Sequence, residues 1–262
     1  MAEYVHRNVE ELQPVLNELL QTDICQNKEV NSILKRITSY EYNLAGLKKT
    51  KQDFVAYAIY LLQLLELIKA RRKQMSAKVS KKQFDYVILN KCQNLLSHAT
   101  FRFPGDVKLW GTFIKMCEKY NIRNRISKIS GRLLQLHGNK PDIYIFAANN
   151  ELRHVGSFVR ARNILLQGLR IHPNYVSLWI QYFRFELIHA RKMAFNKRIL
   201  SEDSQSSEKP GEEIMEIDSS IDSIISGSLA MAVFDSVVTR FPLDVDIYVG
   251  MLVCCQDFHG YY

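Results

Sequence analysis

The chain has 262 residues and a formal net charge of +8, from 35 Lys+Arg against 27 Asp+Glu. Apolar residues make up 47%, enough for a buried core, which excludes wholesale disorder. Only 11 Gly and 6 Pro are present, too few turn formers for an all-β sandwich or barrel. Neither a GxGxxG nor a GxxxxGK[ST] phosphate loop occurs, and no HExxH or CxxC pair points to a metal or redox site. The five cysteines are odd in number and scattered, as expected of reduced thiols in an intracellular protein. The first residues lack an apolar signal segment, and the longest apolar run, Phe54 to Ile68, is too short and polar to span a bilayer.

Helical periodicity covers most of the chain. Residues 3–21 carry apolar positions at i, i+3/i+4 spacing, with Pro14 predicted to kink or restart the helix. A second helix is expected at 28–44 and a third at 52–75, ending in Lys69, Arg71, Arg72 and Lys73, where positive charge suits the helix dipole. A fourth is expected at 82–101. No stretch alternates with period two, so the fold class is all-α.

From residue 100 onward the sequence repeats. Pro104, Pro141, Pro173 and Pro242 each precede an aromatic: Trp110, Tyr144, Trp179 and Tyr248. The aromatics step by 34, 35 and 69 residues, the last being two periods or one period plus an insertion. A proline ends one helix, and Asp106, Asn174 or Asp244 is placed to cap the next. The aromatic then opens an i, i+3, i+7 stripe: Trp110/Phe113/Cys117, Tyr144/Ala147/Glu151, Trp179/Tyr182/Glu186 and Tyr248/Met251/Cys255. Paired helices with this period define an α-solenoid. Second helices are expected at 126–137, 158–171 and 229–241, with Gly168 permitting close approach of a partner helix. Glu151 and Glu186 recur at one repeat position, and Arg160 and Arg162 are candidate partners for Glu151.

Residues 199–225 differ in kind, with eight acids, one base and a Pro210-Gly211 pair. That composition predicts a disordered acidic, Ser-rich insertion at about 199–226, with Ser219 as a candidate phosphosite because Asp222 follows three residues later. The organisation is therefore an N-terminal helical region at 1–82, then a repeat solenoid at 83–262 with that insertion and an incomplete last repeat. Without a following helix, Val249, Leu252, Val253 and Cys254 of the last helix are expected to lie uncovered.

The Trp/Tyr-x2-aromatic/Ala-x3-Glu pattern closed by proline resembles the half-a-TPR (HAT) repeat of RNA-processing proteins. Further residues narrow the resemblance: Glu41-Tyr42, Asp53-Phe54-x2-Tyr57-x2-Tyr60, Arg71-Arg72, Asn139-Lys140-Pro141, and the run Tyr182-Phe183-Arg184-Phe185-Glu186-Leu187-Ile188-His189-Ala190. These are similar to the U3 small nucleolar RNA-associated protein 6 family, over about 1–195 and 227–250. The resemblance implies a non-catalytic scaffold of the nucleolar small-subunit processome, partnered by WD40 propellers and the U3 RNA/pre-rRNA particle, serving 18S rRNA maturation. It implies no cofactor, no membrane and no small-molecule substrate. The family continues through many more repeats, so this chain is expected to be a fragment or truncated form.

Lys48, Lys49, Lys51, Lys69, Arg71, Arg72 and Lys73 are candidate contacts to RNA phosphates or an acidic partner, although no RNA-recognition motif accompanies them. Alternatives are a HAT scaffold of splicing or 3′-end processing, and a tetratricopeptide-like co-chaperone adaptor. The adaptor needs a basic carboxylate clamp on successive first helices, which the sequence does not clearly display.

Overall fold

The computed structural model describes residues 2–75, 81–203 and 225–256. These residues are helical, joined by short turns, and form two compact units, Met1–Met116 and Cys117–Tyr262. The predicted all-α, solenoid-like class is what the chain adopts.

The first unit is built from α1 (Ala2–Glu10), α2 (Gln13–Gln21), α3 (Asn27–Ala45), α4 (Lys51–Met75), α5 (Lys81–Arg102) and most of α6 (Val107–Lys119). Pro14 restarts the chain rather than kinking it. It sits in the first turn of α2, where a missing N–H costs nothing. A capping box opens α3: the Gln26 backbone N–H donates to the Glu29 carboxylate at 3.1 Å. The core runs along α4, where Tyr57, Leu61, Leu65 and Ile68 are fully buried at helical spacing. Burying each such side chain is worth roughly 1.5–3 kcal/mol before entropy is counted. Phe54 meets Phe103 edge-on at 6.4 Å beside buried Ala99 and Leu109.

The second unit holds the rest of α6, α7 (Arg123–His137), α8 (Pro141–Asn150), a π turn (Glu151–Val155), α9 (Phe158–Ile171), α10 (Val176–Asp203), α11 (Ser228–Arg240) and α12 (Val245–Gln256). Helix α10 is shared between two cores. Leu178 and Phe185 pack with Tyr144, Ala161, Leu165 and Leu169 on one side. Phe183 packs with Val233, Val237, Ile247 and Met251 on the other. This shared helix is the stacking logic of a repeat array, in which each pair completes its neighbour's core. Gly168 lies where a Cβ would stand 2.9 Å from Tyr144, so the expected close helix approach is realised.

The repeat aromatics staple the preceding turn. Trp110 Nε1 donates to the Pro104 carbonyl at 3.0 Å and Trp179 Nε1 to the Pro173 carbonyl at 2.9 Å. Tyr248 Oη donates to the Phe241 carbonyl at 2.8 Å. At the Tyr144 repeat the equivalent carbonyl, Gly138 O, pairs instead with His172 Nε2 at 2.9 Å, and His172 lies edge-on to the Tyr144 ring. Replacing Trp179 with Phe keeps an aromatic ring at the position but loses that hydrogen bond and part of the indole's packing area. The expected loss is about 1 kcal/mol in thermal or denaturant unfolding; a loss near zero would mean the staple contributes nothing net.

Three expectations change in detail. Asp106 caps α6 through the Lys108 and Leu109 amides, at 3.1 and 3.4 Å, whereas Asn174 turns its amide oxygen to Arg240. In α12 the buried stripe is Ile247/Met251/Cys254 and Cys255 is exposed, one residue off the expected register. Cys254 is thereby covered by its own helix pair, while Val249, Leu252 and Val253 are exposed as predicted. The acidic segment lies mostly outside the described residues, but its first residues, up to Asp203, continue α10 as helix.

Candidate binding surfaces

Three buried carboxylates organise the helix interiors. In the first unit, Glu41 is 3% exposed and accepts from Asn8 Nδ2, Tyr57 Oη and Lys91 Nζ, each at 2.9 Å. This joins α1, α3, α4 and α5 at one charge. Burial, then the Glu41 charge, pushes the Tyr57 hydroxyl far above its ordinary range, so it stays a donor. In the second unit, Glu186 accepts two bonds from Arg162, Nε to Oε1 at 2.8 Å and Nη2 to Oε2 at 2.6 Å. The Arg162 guanidinium also lies 3.0 Å from His189 Nδ1 and over the Phe185 ring. Burial, then the Arg162 charge, lowers the His189 pKa. Its neutral form therefore supports the fold, and stability is lost as pH falls below about 6.5.

Glu151 differs from expectation. Arg162 goes to Glu186, and Arg160 reaches Ser127 Oγ at 3.3 Å. Glu151 contributes through its backbone: its carbonyl accepts from Gly156 and Ser157 and closes the π turn. Its side chain is 2% exposed, and Oε2 has no hydrogen-bond partner.

The basic clusters divide by what holds them. Arg71 is bidentate to Glu29, both bonds 2.8 Å, and donates to the Ile24 carbonyl at 3.1 Å. Arg72 is buried, bound to Asp85 at 2.9 Å and set over the Phe84 ring. Lys69 lies 3.7 Å from Asp85, and Lys51 bonds Asp106 at 2.6 Å. Lys48 and Lys73 are exposed and Lys49 is half-buried. Helix α4 separates Lys48 and Lys49 from Lys73 by roughly 33 Å at 1.5 Å per residue, so the structure does not gather the clusters into one patch.

The Arg71 bond, with the Gln26 amide, holds the Glu29 carboxyl down at about 2, against an ordinary 4.5. The pairing is complete above about 4.5 and lost as pH falls through about 2. A side-chain NMR titration should find Glu29 well below the ordinary glutamate range; an Arg71→Gln change should raise it most of the way back, with the Gln26 amide still holding it somewhat low.

Two concave surfaces stand out. A groove of about 780 Å³ between α3 and α4 has half-exposed Ile59 and Leu67 on one wall, with Lys28, Arg36 and Tyr60 among its lining. A narrower cleft of about 190 Å³ is lined by residues of α8, the π turn and α10, with leucine from α9. Neither is legible in the sequence, because each is formed only when side chains of separate helices pack together.

Among the described residues no helix is long and apolar enough to cross a membrane, and no group of three or more His, Cys, Asp or Glu could hold a metal. None of the five cysteines is in a disulfide, and burial pushes Cys92 up to about 12 and Cys117 to about 11, away from nucleophilic character. Ser219 lies outside the described residues.

What these helices define is an all-α, solenoid-like protein with carboxylates committed to structural bonds and open concave surfaces. Residues 9–91 match the family described as U3 small nucleolar RNA-associated protein 6. The chain is 30% identical over 258 residues to the U3 small nucleolar RNA-associated protein 6 homologs of Mus musculus and Homo sapiens, covering 98% of this chain and 42% of each relative. It is also 30% identical over 201 residues to U3 small nucleolar RNA-associated protein 6 of Schizosaccharomyces pombe, covering 77% of this chain and 41% of that one. The chain is thus related to this family across nearly all of its length, and spans about two fifths of those relatives.

Proposed function

We propose that this chain is a non-catalytic scaffold in ribosome biogenesis, a subunit of the U3 small nucleolar RNA particle that processes pre-rRNA. The carrying observation is the relatedness over 258 residues to proteins named for U3 RNA association. The architecture fits. Glu41 and Glu186 are locked by Lys91 and Arg162, and the buried cysteines have raised pKa values. In this reading the repeats are HAT repeats, the partners are WD40 propellers of the small-subunit processome, and the site of action is the nucleolus in 18S rRNA maturation. Pro104, Trp110, Pro141, Tyr144, Pro173, Trp179, Pro242 and Tyr248 have structural roles, and Ser219 is a regulatory phosphosite.

Affinity capture from cells tests the reading. Recovery of U3 RNA with propeller subunits supports it; recovery of spliceosomal proteins or chaperones in their place refutes it.

Phosphate contact runs through Lys48, Lys49 and Lys73, because Lys51, Lys69, Arg71 and Arg72 hold acids within the fold. Replacing the three with Gln should lower the slope of log affinity against log salt for single-stranded RNA by about two. Replacing Arg71 with Gln should leave that slope unchanged. The reverse pattern would reassign the contact.

A further inference from the structure

Helices α7 and α9 together carry seven Lys and Arg and no Asp or Glu, in a chain whose whole net charge is +8. The two helices run side by side in the same direction. Arg160 Nη1 donates to Ser127 Oγ at 3.3 Å near one end, and His172 Nε2 lies 2.9 Å from the Gly138 carbonyl at the other. Each buries an apolar face, with Ile126, Ile129 and Leu133 on α7 and Ala161, Leu165 and Leu169 on α9. The opposite faces are polar. On α7, exposed Lys128, Arg132 and Gln135 are spaced i, i+4, i+7. On α9, exposed Arg160, Asn163, Gln167 and Arg170 are spaced i, i+3, i+7, i+10. Because Arg160 reaches the hydroxyl of the residue next to Lys128, the two stripes adjoin.

Arg132 and Arg160 bond neutral oxygens, Gln135 Oε1 at 3.2 Å and Ser127 Oγ at 3.3 Å, which a phosphate can replace. Acids on the neighbouring elements are engaged or buried: Glu118 meets His154 at 3.0 Å, Asp142 accepts from Tyr175 Oη, Glu186 holds Arg162, and Glu151 is buried. Arg162 therefore stands outside the set, as does half-buried Arg125. Four cations remain, strung along roughly 15 Å of helix with carboxamides between them. Nucleic-acid backbones are held by this mixture of Lys, Arg, Asn and Gln donors. An acidic peptide instead wants apolar anchors at the centre of its interface. The exposed apolar side chains here, Leu136, Val159 and Ile171, stand at the helix ends.

We propose that the adjoining outer faces of α7 and α9 bind the phosphate backbone of RNA, without regard to base sequence. Lys128, Arg132, Arg160 and Arg170 neutralise phosphates, and Gln135, Asn163 and Gln167 donate to phosphate or ribose oxygens between them. The surface belongs to the second unit, whereas Lys48, Lys49 and Lys73 belong to the first. It deepens the RNA-particle reading, on which the choice of RNA as the nucleic acid rests, by seating the backbone on this chain's own repeats.

The test uses the whole chain carrying Lys48→Gln/Lys49→Gln/Lys73→Gln, so that first-unit contacts do not contribute, and a fluorescein-labelled uridine octamer in fluorescence anisotropy. Adding Lys128→Gln/Arg132→Gln/Arg160→Gln/Arg170→Gln, with helicity unchanged by circular dichroism, should weaken binding at least tenfold and lower the slope of log affinity against log salt by about three. Replacing Arg132, Arg160 and Arg170 with Lys keeps the charge and should hold affinity within about threefold. Adding Lys28→Gln/Lys35→Gln/Lys108→Gln/Lys115→Gln removes the same charge elsewhere and should also stay within about threefold. Unchanged affinity in the α7/α9 Gln variant, an equal loss in the Lys variant, or an equal loss in the second Gln variant would each overturn the proposal. So would an octaglutamate peptide that binds more tightly than the octamer and depends on the same four residues, since that would make the face an acidic-protein surface. Capture of U3 RNA in cells by a chain whose octamer binding ignores these residues refutes the surface alone. Octamer binding through them by a chain that captures spliceosomal proteins refutes the ribosome-assembly reading and leaves the surface standing.

Discussion

Replacing Arg162 with Met is expected to destabilise the second unit by about 3 kcal/mol, lowering its melting temperature by roughly 10 °C. The Glu186 side chain is 1% exposed and takes both its charge-assisted bonds from Arg162. Removing the cation leaves a buried charge with only the Tyr182 hydroxyl and the His189 ring beside it, and breaking a buried pair in this way costs about 3–5 kcal/mol. The lower end applies because the Arg162 side chain is 28% exposed, so water can reach the gap. The paired change Arg162→Met/Glu186→Leu removes the charge together with its partner. It should recover most of the loss, since well-packed apolar replacements of buried ion pairs are often neutral. Thermal unfolding of parent, single and double variants decides the matter. A single variant as stable as the parent would show that the carboxylate never needed its guanidinium.

Substituting Ala for Gly168 is expected to cost about 1–2 kcal/mol, against the sign that helix propensity gives. Propensity alone favours Ala by about 1 kcal/mol in a helix interior. The new methyl would meet Tyr144 Cβ and Cγ at 2.9 Å and Leu178 Cδ2 at 3.0 Å. Tyr144 Cβ is fixed to its backbone and cannot swing away, so α8 and α9 must separate, and overpacking of that kind costs about 1–3 kcal/mol. Gly250 provides the contrast. Its added methyl would meet mainly Ile180 Cδ1, the tip of a flexible side chain. There Ala is expected to be neutral or slightly stabilising. Equal effects at the two glycines in chemical denaturation would show that the contact at Gly168 is relieved by ordinary side-chain motion.

The helices were legible because period and punctuation agree: Pro14, Pro141 and Pro173 each mark a helix start or the turn before it. The Trp110, Tyr144, Trp179 and Tyr248 positions were legible for the same reason. What escaped was partnership. Nothing local says that Arg162 prefers Glu186, twenty-four residues away, to Glu151, eleven away; the choice is made when α9 and α10 pack. Glu41 has the same character, because its partners come from three other helices. The basic runs read as one property in sequence, yet Arg71 and Arg72 face acids and Lys73 faces solvent. One helical turn carries both roles. The cleft lined by Leu152 and Ile188 escaped as well, because its walls come from α8, the π turn, α9 and α10 and exist only once those elements pack.

That π turn also accounts for a small irregularity in the repeat spacing. From Trp110 to the start of α7 is thirteen residues, and from Tyr144 to the start of α9 is fourteen. From the start of α7 to Tyr144 and from the start of α9 to Trp179 is twenty-one in both cases. The extra residue that turns a step of 34 into one of 35 therefore falls in the stretch containing Glu151–Val155, where the helix widens by one residue per turn. The turn works as an expansion joint: the repeat has grown by one residue while the helices on either side keep their phase.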